Sequence, residues 1–489
     1  MSIPNNLRAP ILAVEFDSSR AFQGPAVLPY QSLLIGGRIA AGTTPELTLK
    51  RVTSADEVGG YAGFGSQLHN MAERWFANNR TTTTFMVALD DAGGGVPASG
   101  TITFTGTASA AGAVYAYIAG RRAVAAVSNT NNAIAVATAV VAAINAITSM
   151  PVIAANGGTA VVTLTAKNDG VPGNDIDIRL NYNEDEVLPA GISASISAMA
   201  SGATNPDVQD VIDVIGDEWY QIFAMPYTDA TNMTAMETEL ADRFGALRMI
   251  DGVCFCAKKD TLGNLASFGN GRNSPHVCCT AATDVLPTSY EFAAGVAGQA
   301  AQEGSTDPAR PFQTLQVQGI NPVPVVDRFT YVERNSLLFD GIATASVDSA
   351  GAVRIERLIT MYQKNVVGAD DIAYLDVNTM LTLMFLRYDF RNTIRTKYPR
   401  AKLAGDDVRV APGQVVMTPK VGKAEAIAKF RQWEALGLVE NFSQFKRDLV
   451  CVRSQIDPNR LDWVLPPDLM NQFIVGGATI QFLLESPTV

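Results

Sequence analysis

Three consecutive stretches decide the fold class: Trp219-Tyr-Gln-Ile-Phe-Ala-Met225, Thr231–Leu247 and Val253-Cys-Phe-Cys-Ala257. The first and third are short apolar runs, which are typical of buried strands. The second repeats apolar residues at helical spacing and predicts an amphipathic helix. A strand, a helix and a strand in this order predict a parallel α/β layer, which we assign to a middle domain of residues 204–328.

The chain upstream of this layer, residues 26–92, alternates between the same two kinds of element. Leu33–Ile35 is an apolar run, and Gln67–Asn78 carries an apolar stripe at helical spacing. Thr82–Ala88 then predicts a buried strand. We therefore expect a second α/β part.

Composition changes sharply at Asp90–Pro97, where acidic residues and three glycines precede a proline. The following stretch is rich in Thr, Ala, Val and Gly, and Thr101–Thr105 alternates strictly, as a half-buried strand does. Residues Asn131–Ile147 interrupt this pattern with a helical repeat. We predict that residues 93–203 form an inserted, mostly-β domain.

The last third, residues 329–470, mixes the two element types. Val332–Asp340 predicts a helix, and strands are predicted on either side of the turn before Gly351. A long helix is expected from Asp376, as its cap, to a point before Pro399, and another over Lys423–Leu436. The fold class is thus α+β with several domains.

The two chain ends, residues 1–25 and 471–489, look like strands set apart from the body. Ala9–Asp17 is a short apolar segment among prolines, and Gln472–Leu484 predicts one or two terminal strands. An isolated strand leaves backbone donors and acceptors unpaired. The ends therefore either fold back onto the chain's own sheet or add to a sheet of another copy.

Composition favours a subunit of an assembly. Of the 489 residues 47% are hydrophobic and only 17% are charged, against about 25% in ordinary soluble domains. The net charge of -11 argues against a nucleic-acid partner. The N-terminus lacks the apolar core of a signal peptide and no apolar run reaches 18 residues, so we expect folding in a cytoplasm and no membrane insertion.

Residues suited to catalysis or metal binding are scarce. The chain has two histidines and five cysteines, and it lacks phosphate-loop and nucleophile-elbow motifs. A cluster of Cys254, Cys256, His276 and Cys278 is conceivable, but small buried apolar side chains are the better interpretation of these cysteines. We predict no catalytic residue, no cofactor and no metal, and hence no enzyme.

Several motifs along the chain resemble those of Mu-like phage tail sheath proteins. They are Ile3-Pro4, Arg8-Ala-Pro10, Val14-Glu-Phe-Asp17, Gly170-Val-Pro-Gly-Asn-Asp-Ile-Asp-Ile178, Val332-Glu-Arg-Asn-Ser-Leu-Leu-Phe-Asp-Gly-Ile342, Gly351-Ala-Val-Arg-Ile-Glu-Arg-Leu-Ile-Thr360, Leu465-Pro-Pro-Asp-Leu-Met-Asn-Gln-Phe473 and Ile480-Gln-Phe-Leu-Leu484. Each is modest alone, but their order and spacing together are specific and span nearly the whole chain.

The resemblance implies a contractile sheath in the tail of a virion. In that family a core domain joins N- and C-terminal parts of the chain, here 26–92 and 329–470, and outer domains are inserted between them. Copies form stacked hexameric rings around a tail tube, with baseplate and tail terminator proteins as further partners. Contraction drives the tube through the host envelope without nucleotide hydrolysis.

The family pattern also implies that terminal arms, roughly Ile3–Phe22 and Phe473–Leu484, add strands to neighbouring copies. The candidate contact residues are Ile11, Val14, Phe16, Phe22, Phe473, Ile474, Ile480, Phe482 and Leu484. The alternatives are another self-assembling protein, such as a tail tube or surface-layer subunit, and an adhesin that binds through residues 99–200.

Overall fold

The computed structural model describes residues 28–409, 411 and 413–484. Residues 29–384 and those from 471 onward form one compact unit, and residues 385–470 form another. The strands are β1 (Gln31–Gly37), β2 (Lys50–Val52), β3 (Thr83–Leu89), β4 (Pro97–Gly106), β5 (Gly112–Ile118), β6 (Arg121–Val127), β7 (Val152–Ala155), β8 (Val161–Asp169), β9 (Ile178–Leu180), β10 (Ile192–Ala200), β11 (Ile222–Ala224), β12 (Val253–Lys258), β13 (Val277–Ala281), β14 (Thr344–Val347), β15 (Val353–Arg357), β16 (Lys402–Leu403), β17 (Val416–Met417), β18 (Val439–Glu440), β19 (Val450–Arg453), β20 (Leu461–Val464) and β21 (Asp468–Leu469).

The helices follow the apolar periodicities of the sequence. They are α1 (Ala55–Ala62), α2 (Gln67–Asn78), α3 (Ala133–Asn145), α4 (Gln209–Ile215), α5 (Ala230–Phe244), α6 (Leu262–Asn270), α7 (Ser289–Thr306), α8 (Tyr331–Phe339), α9 (Val377–Lys397), α10 (Pro419–Ala435) and α11 (Phe442–Asp448). Within the described ranges, no helix is long and apolar enough to cross a membrane.

A six-stranded sheet in the order β13-β12-β11-β1-β3-β2 lies at the centre of the larger unit. The predicted parallel layer is confirmed, because β11, β12 and β13 pair in parallel. The strand β1 pairs in parallel with both β3 and β11. The sheet thus joins strands from residues 26–92 with strands from residues 204–328, two ranges that we predicted as separate parts.

Helices cover both faces of this sheet. On one face Leu33, Phe223 and Cys254 pack in a cluster with Met236 of α5. On the other face α2 and α7 lie against the strands, and the Trp75 indole donates to Thr84 Oγ1 at 3.0 Å. Burial on both faces explains why the strand sequences are continuously apolar.

The inserted stretch is mostly β, as its alternating sequence predicts. It contains an antiparallel sheet in the order β10-β4-β8-β7 and a second in the order β6-β5-β9. Helix α3 packs against both through Val136 and Val140, in a core shared with Ile102, Phe104 and Leu164.

The β14–β15 hairpin matches the strands predicted before residue 361. The residue that precedes it, Ala343, covers the outer edge of β13: the Ala281 amide donates to Ala343 O, and the Ala343 amide donates to Cys279 O, both at 2.9 Å. One edge of the central sheet is therefore closed by the chain itself.

The unit of residues 385–470 contains helices and three two-stranded sheets, β16–β17, β18–β21 and β19–β20. Phe430 of α10 stacks on Phe445 of α11, with ring centroids 4.2 Å apart. Asp389 is buried and accepts 2.8 Å bonds from Lys429 Nζ and from the Trp433 indole. These contacts give the unit a core of its own.

The predicted terminal strands over Gln472–Leu484 are wrong for the single chain, because residues 470–484 adopt neither helix nor strand. A strand needs a partner, and no described segment of this chain pairs with these residues. The prediction at Ala9–Asp17 lies outside the described residues.

Candidate assembly interface

The C-terminal segment, residues 471–484, exposes most of its apolar side chains. Phe473 is 77% exposed, Ile480 89%, Phe482 77% and Leu484 86%, and Ile474 is half-buried. The Gln313 side-chain amide donates to Phe473 O at 3.0 Å and holds the start of the segment. A contiguous apolar exposure of this kind indicates a surface that another molecule covers.

The β19–β20 hairpin is a second exposed feature and belongs to the unit of residues 385–470. Its antiparallel register places Val450 opposite Val464, and both are exposed, as is Val452. Cys451 and Trp463 form the alternate pair and point to the opposite face. The hairpin thus exposes one face that carries three valines, with Asp462 opposite Val452.

Local turn chemistry closes this hairpin. The hydroxyl of Ser454 accepts bonds from the amides of Ile456 and Asp457 at 3.3 and 3.2 Å. The carboxylate of Asp457 accepts from the Asn459 amide at 2.9 Å. Side chains of Ser, Asp and Asn that bond nearby amides are typical of tight turns, and they fix the register of the two strands.

The inner face of the hairpin is held firmly. Trp463 meets Phe390 edge to face, with ring centroids 6.0 Å apart. Helix α10 approaches so closely that a Cβ on Gly422 would lie 2.7 Å from Cys451 Sγ, so only glycine fits there. Packing on this face holds the outer face and both strand edges in a fixed position.

Both edges of the hairpin are open. In the part of the chain that the structure describes, neither β19 nor β20 pairs with a third strand. Edge strands with unpaired amides and carbonyls are templates for strand addition, and a two-stranded sheet alone is marginally stable in water. The arrangement can accept an extended segment through main-chain hydrogen bonds.

An ionic cluster, formed by Asn70, Glu73, Arg74, Arg121 and Glu291, joins the inserted domain to helices α2 and α7 beside the central sheet. Arg121 of β6 bonds Asn70 Oδ1 at 3.0 Å and Glu73 Oε2 at 2.5 Å. Its Nη1 lies 2.8 Å from Glu291 Oε1, an ion pair whose angles are not those of a hydrogen bond. Arg74 also contacts Glu291, at 3.2 Å, so two cations neutralise this fully buried carboxylate.

Burial and charge act in opposite directions on Glu291. Desolvation alone would raise the pKa of this carboxyl, but Arg121 and Arg74 stabilise its charged form and lower the pKa below its usual value. Glu291 therefore stays negatively charged between its two arginines, and the cluster serves to hold α2, α7 and β6 in position.

The cysteines of β12 and β13 are packed as small apolar side chains, as their apolar surroundings in the sequence predict. Cys254, Cys256, Cys278 and Cys279 are free and buried, and burial raises the pKa of the Cys254 thiol. Within the described ranges, no group of three His, Cys, Asp or Glu side chains is arranged to hold a metal ion.

The structure describes five of the nine predicted arm residues. Phe473, Ile474, Ile480, Phe482 and Leu484 all lie in the C-terminal segment. The other candidates lie outside the described residues; they are Ile11, Val14, Phe16 and Phe22.

Sequence reasoning missed the β19–β20 hairpin. The available signal was two short runs that contain Val and Trp, Val450–Arg453 and Leu461–Val464, on either side of an Asp-Pro-Asn turn. Both strands are four residues long, which makes them easy to overlook.

The exposed apolar C-terminal segment and the open edges of the β19–β20 hairpin favour the class of self-assembling structural subunits. Two family models match the chain: "Phage tail sheath protein central domain" over residues 201–361 and "Phage tail sheath C-terminal domain" over residues 369–482. The Mu-like prophage FluMu tail sheath protein of Haemophilus influenzae is 37% identical over 483 residues, which cover 99% of each chain. The chain therefore belongs to the phage tail sheath family.

Solved sheath structures are similar as well. The sheath tail protein of Desulfitobacterium hafniense aligns over 94% of this chain and 100% of its own, with 11% identity and a TM-score of 0.47. The helical sheath of the anti-feeding prophage in its contracted state aligns over 99% and 100%, with 12% identity and a TM-score of 0.47.

Family membership defines the role of the chain. It is a structural subunit of a contractile phage tail sheath and a component of the virion tail. Its family is one of structural proteins, and the relative that spans its whole length favours a sheath over the tail-tube, surface-layer and adhesin alternatives.

Proposed function

We propose that copies of this chain polymerise into stacked hexameric rings around a tail tube, and that each copy holds its neighbours through its two ends. The observation that carries the proposal is the C-terminal segment, which is apolar, exposed and without a strand partner among the described residues. Leaving Phe482 and Leu484 in water is unfavourable by about 25 cal/mol per Å² of apolar surface, and burial in a neighbouring copy removes this cost.

The acceptor in the neighbouring copy is the β19–β20 hairpin. An extended segment that pairs with one of its open edges gains main-chain hydrogen bonds and continues the sheet. The alternating side chains Ile480, Phe482 and Leu484 then share one face with Val450 and Val464. Residues 1–25 supply the second arm in the same way.

Contraction follows from this linkage. The arms keep copies joined while each compact body moves as a unit from an extended to a shorter and wider lattice. The free energy comes from better contacts between copies in the contracted state, so no catalytic residue, cofactor or metal is needed. The chain assembles in the host cytoplasm, and its further partners are the tube, the baseplate and the tail terminator.

Truncation tests the proposal. A chain that ends at Met470 should remain folded, because the deleted side chains that the structure describes are mostly exposed, but it should form no tubes under negative-stain microscopy. Deletion of residues 1–20 should have the same effect. The matched control removes only residues 485–489 and should assemble. Normal tubes from either arm deletion would contradict the proposed role of that arm.

A further inference from the structure

The two units of the chain carry opposite net charges. Residues 385–470 hold 15 Lys and Arg against 10 Asp and Glu, a net charge of +5, whereas residues 29–384 hold 20 against 35, a net charge of -15. The overall value of -11 conceals this asymmetry. In a self-assembling chain, oppositely charged parts of different copies attract one another.

The positive charge of residues 385–470 lies at the surface of that unit. Twelve of its 15 cationic side chains are exposed: Arg395, Lys397, Arg400, Lys402, Arg409, Lys420, Lys423, Arg431, Lys446, Arg447, Arg453 and Arg460. Four of these side chains form salt bridges with carboxylates: Lys397, Arg431, Arg447 and Arg460. Among the residues described, the cationic groups of the other eight form no salt bridge within 4.0 Å, although Asp406 accepts a 2.8 Å bond from the Lys420 backbone amide, so this basic surface is only partly neutralised.

Helix α10 shows why these charges face outward. Phe430 and Trp433 occupy the core, and Lys429 is buried because Asp389 neutralises it at 2.8 Å. Lys420 and Lys423, three residues apart, lie on the exposed side of the same helix. The helix thus separates one internally paired lysine from two that are available to a partner.

The larger unit shows the reverse imbalance. Many of its cations are already bound to carboxylates, as in the Arg121 and Arg74 contacts with Glu291. Asp207, Asp210 and Asp213, on and just before α4, are exposed, and in the part of the chain that the structure describes none of them has a cation within 4.0 Å. The acidic surplus therefore remains at the surface of residues 29–384.

We propose that the basic surface of residues 385–470 docks on the acidic surface of residues 29–384 in a neighbouring copy. Bodies of charge -15 placed side by side repel one another, and a basic surface between them turns this repulsion into attraction. This inference rests on the proposed self-assembly and names the surface chemistry that accompanies the arm contacts. Its strength depends on salt, because the Debye length falls from about 10 Å at 0.1 M to about 3 Å at 1 M ionic strength.

Zero-length cross-linking of assembled tubes tests the inference. Tubes grown from a mixture of ¹⁴N- and ¹⁵N-labelled chains and treated with a carbodiimide should give mixed-isotope peptides that join Lys420, Lys423 or Lys446 to acidic residues of 29–384. The yield should fall when the tubes are equilibrated at high salt. Links only within one copy, or links only to a co-assembled tube protein, would overturn the inference and leave the proposed arm function intact.

A matched pair of charge reversals gives a second readout. Lys420→Glu with Lys423→Glu and the control Lys50→Glu with Arg51→Glu change the net charge equally, and all four side chains are exposed. At low salt we expect the first pair to raise the concentration required for tube assembly about tenfold more than the control does. Equal shifts would overturn the inference. Circular dichroism checks folding, and the wild-type cross-links decide the question if a variant misfolds.

Discussion

The central six-stranded sheet and the β19–β20 hairpin show two opposite treatments of β-structure. The sheet is covered by helices on both faces, and Ala343 closes one edge with two backbone hydrogen bonds. The hairpin is covered on one face only, and both of its edges are open within the described residues. The sheet stabilises a single copy, whereas the hairpin and the C-terminal segment leave pairing capacity for other copies.

The largest expected effect comes from placing charge on the open face of the hairpin. Val450→Asp with Val452→Asp should abolish tube formation, because two carboxylates would lie beside the apolar side chains of the incoming strand on the face that they share. Subunit stability should change little, since these side chains are 41% and 49% exposed. Ile456→Asp, at the 96% exposed tip of the same hairpin, is the control and should assemble. If the double variant still formed tubes, the open face of the hairpin would not be needed for assembly.

The central unit should respond in the opposite way, with a large loss of stability. Arg121→Met removes a buried cation and leaves Glu291 with Arg74 alone, so urea unfolding should show a loss of about 3 kcal/mol. Arg460→Met breaks an exposed pair with Asp462, which solvent screens, and should leave the unfolding free energy nearly unchanged. Similar losses in both variants would show that the ionic cluster does not hold the inserted domain.

Acid should weaken the same cluster. The folded-state pKa of Glu291 lies below its unfolded value, so its contribution to stability is present above about pH 4.3 and is lost as the pH falls through the folded-state pKa. The unfolding free energy of the wild type should therefore fall more steeply below about pH 4.3 than that of Glu291→Gln. Parallel curves for the two proteins would contradict this assignment.

The smallest effect is expected for a single change in the C-terminal segment. Phe482→Ser should leave the unfolding free energy within about 0.5 kcal/mol of the wild type, because the side chain is 77% exposed. Strand addition relies mainly on backbone bonds, so the concentration required for assembly should rise only a few-fold, by roughly 1 kcal/mol. A complete loss of assembly would show that side-chain recognition dominates.

Local periodicity predicted several of the longer helices. The stripe over Gln67–Asn78 matches α2 at both ends, and the helix expected at Val332–Asp340 lies within one residue of α8. These segments are amphipathic and have good caps: Ser66 accepts from the His69 amide, and Thr330 forms a capping box with Glu333. Apolar spacing and capping residues involve only neighbours in the sequence, so they predict a helix without knowledge of its tertiary contacts.

Strand pairing between segments that are far apart in the sequence, or that belong to different copies, could not be predicted in the same way. The register of β1 with β11 joins residues 190 positions apart, such as Ser32 and Ile222, and the sequence gives no local sign of it. The strands expected at Gln472–Leu484 are absent from the single chain. On our proposal the partner strand of this segment lies in another copy, so its conformation depends on an interaction outside the chain.

The central claim is that the C-terminal segment pairs between copies, and a cryo-EM map of the assembled sheath tests it most directly. The account predicts residues 471–484 as an extended strand about 4.8 Å from β19 or β20 of a neighbouring copy, with Ile480, Phe482 and Leu484 buried. A map in which the segment pairs with its own subunit, while both hairpin edges stay open, would contradict the account.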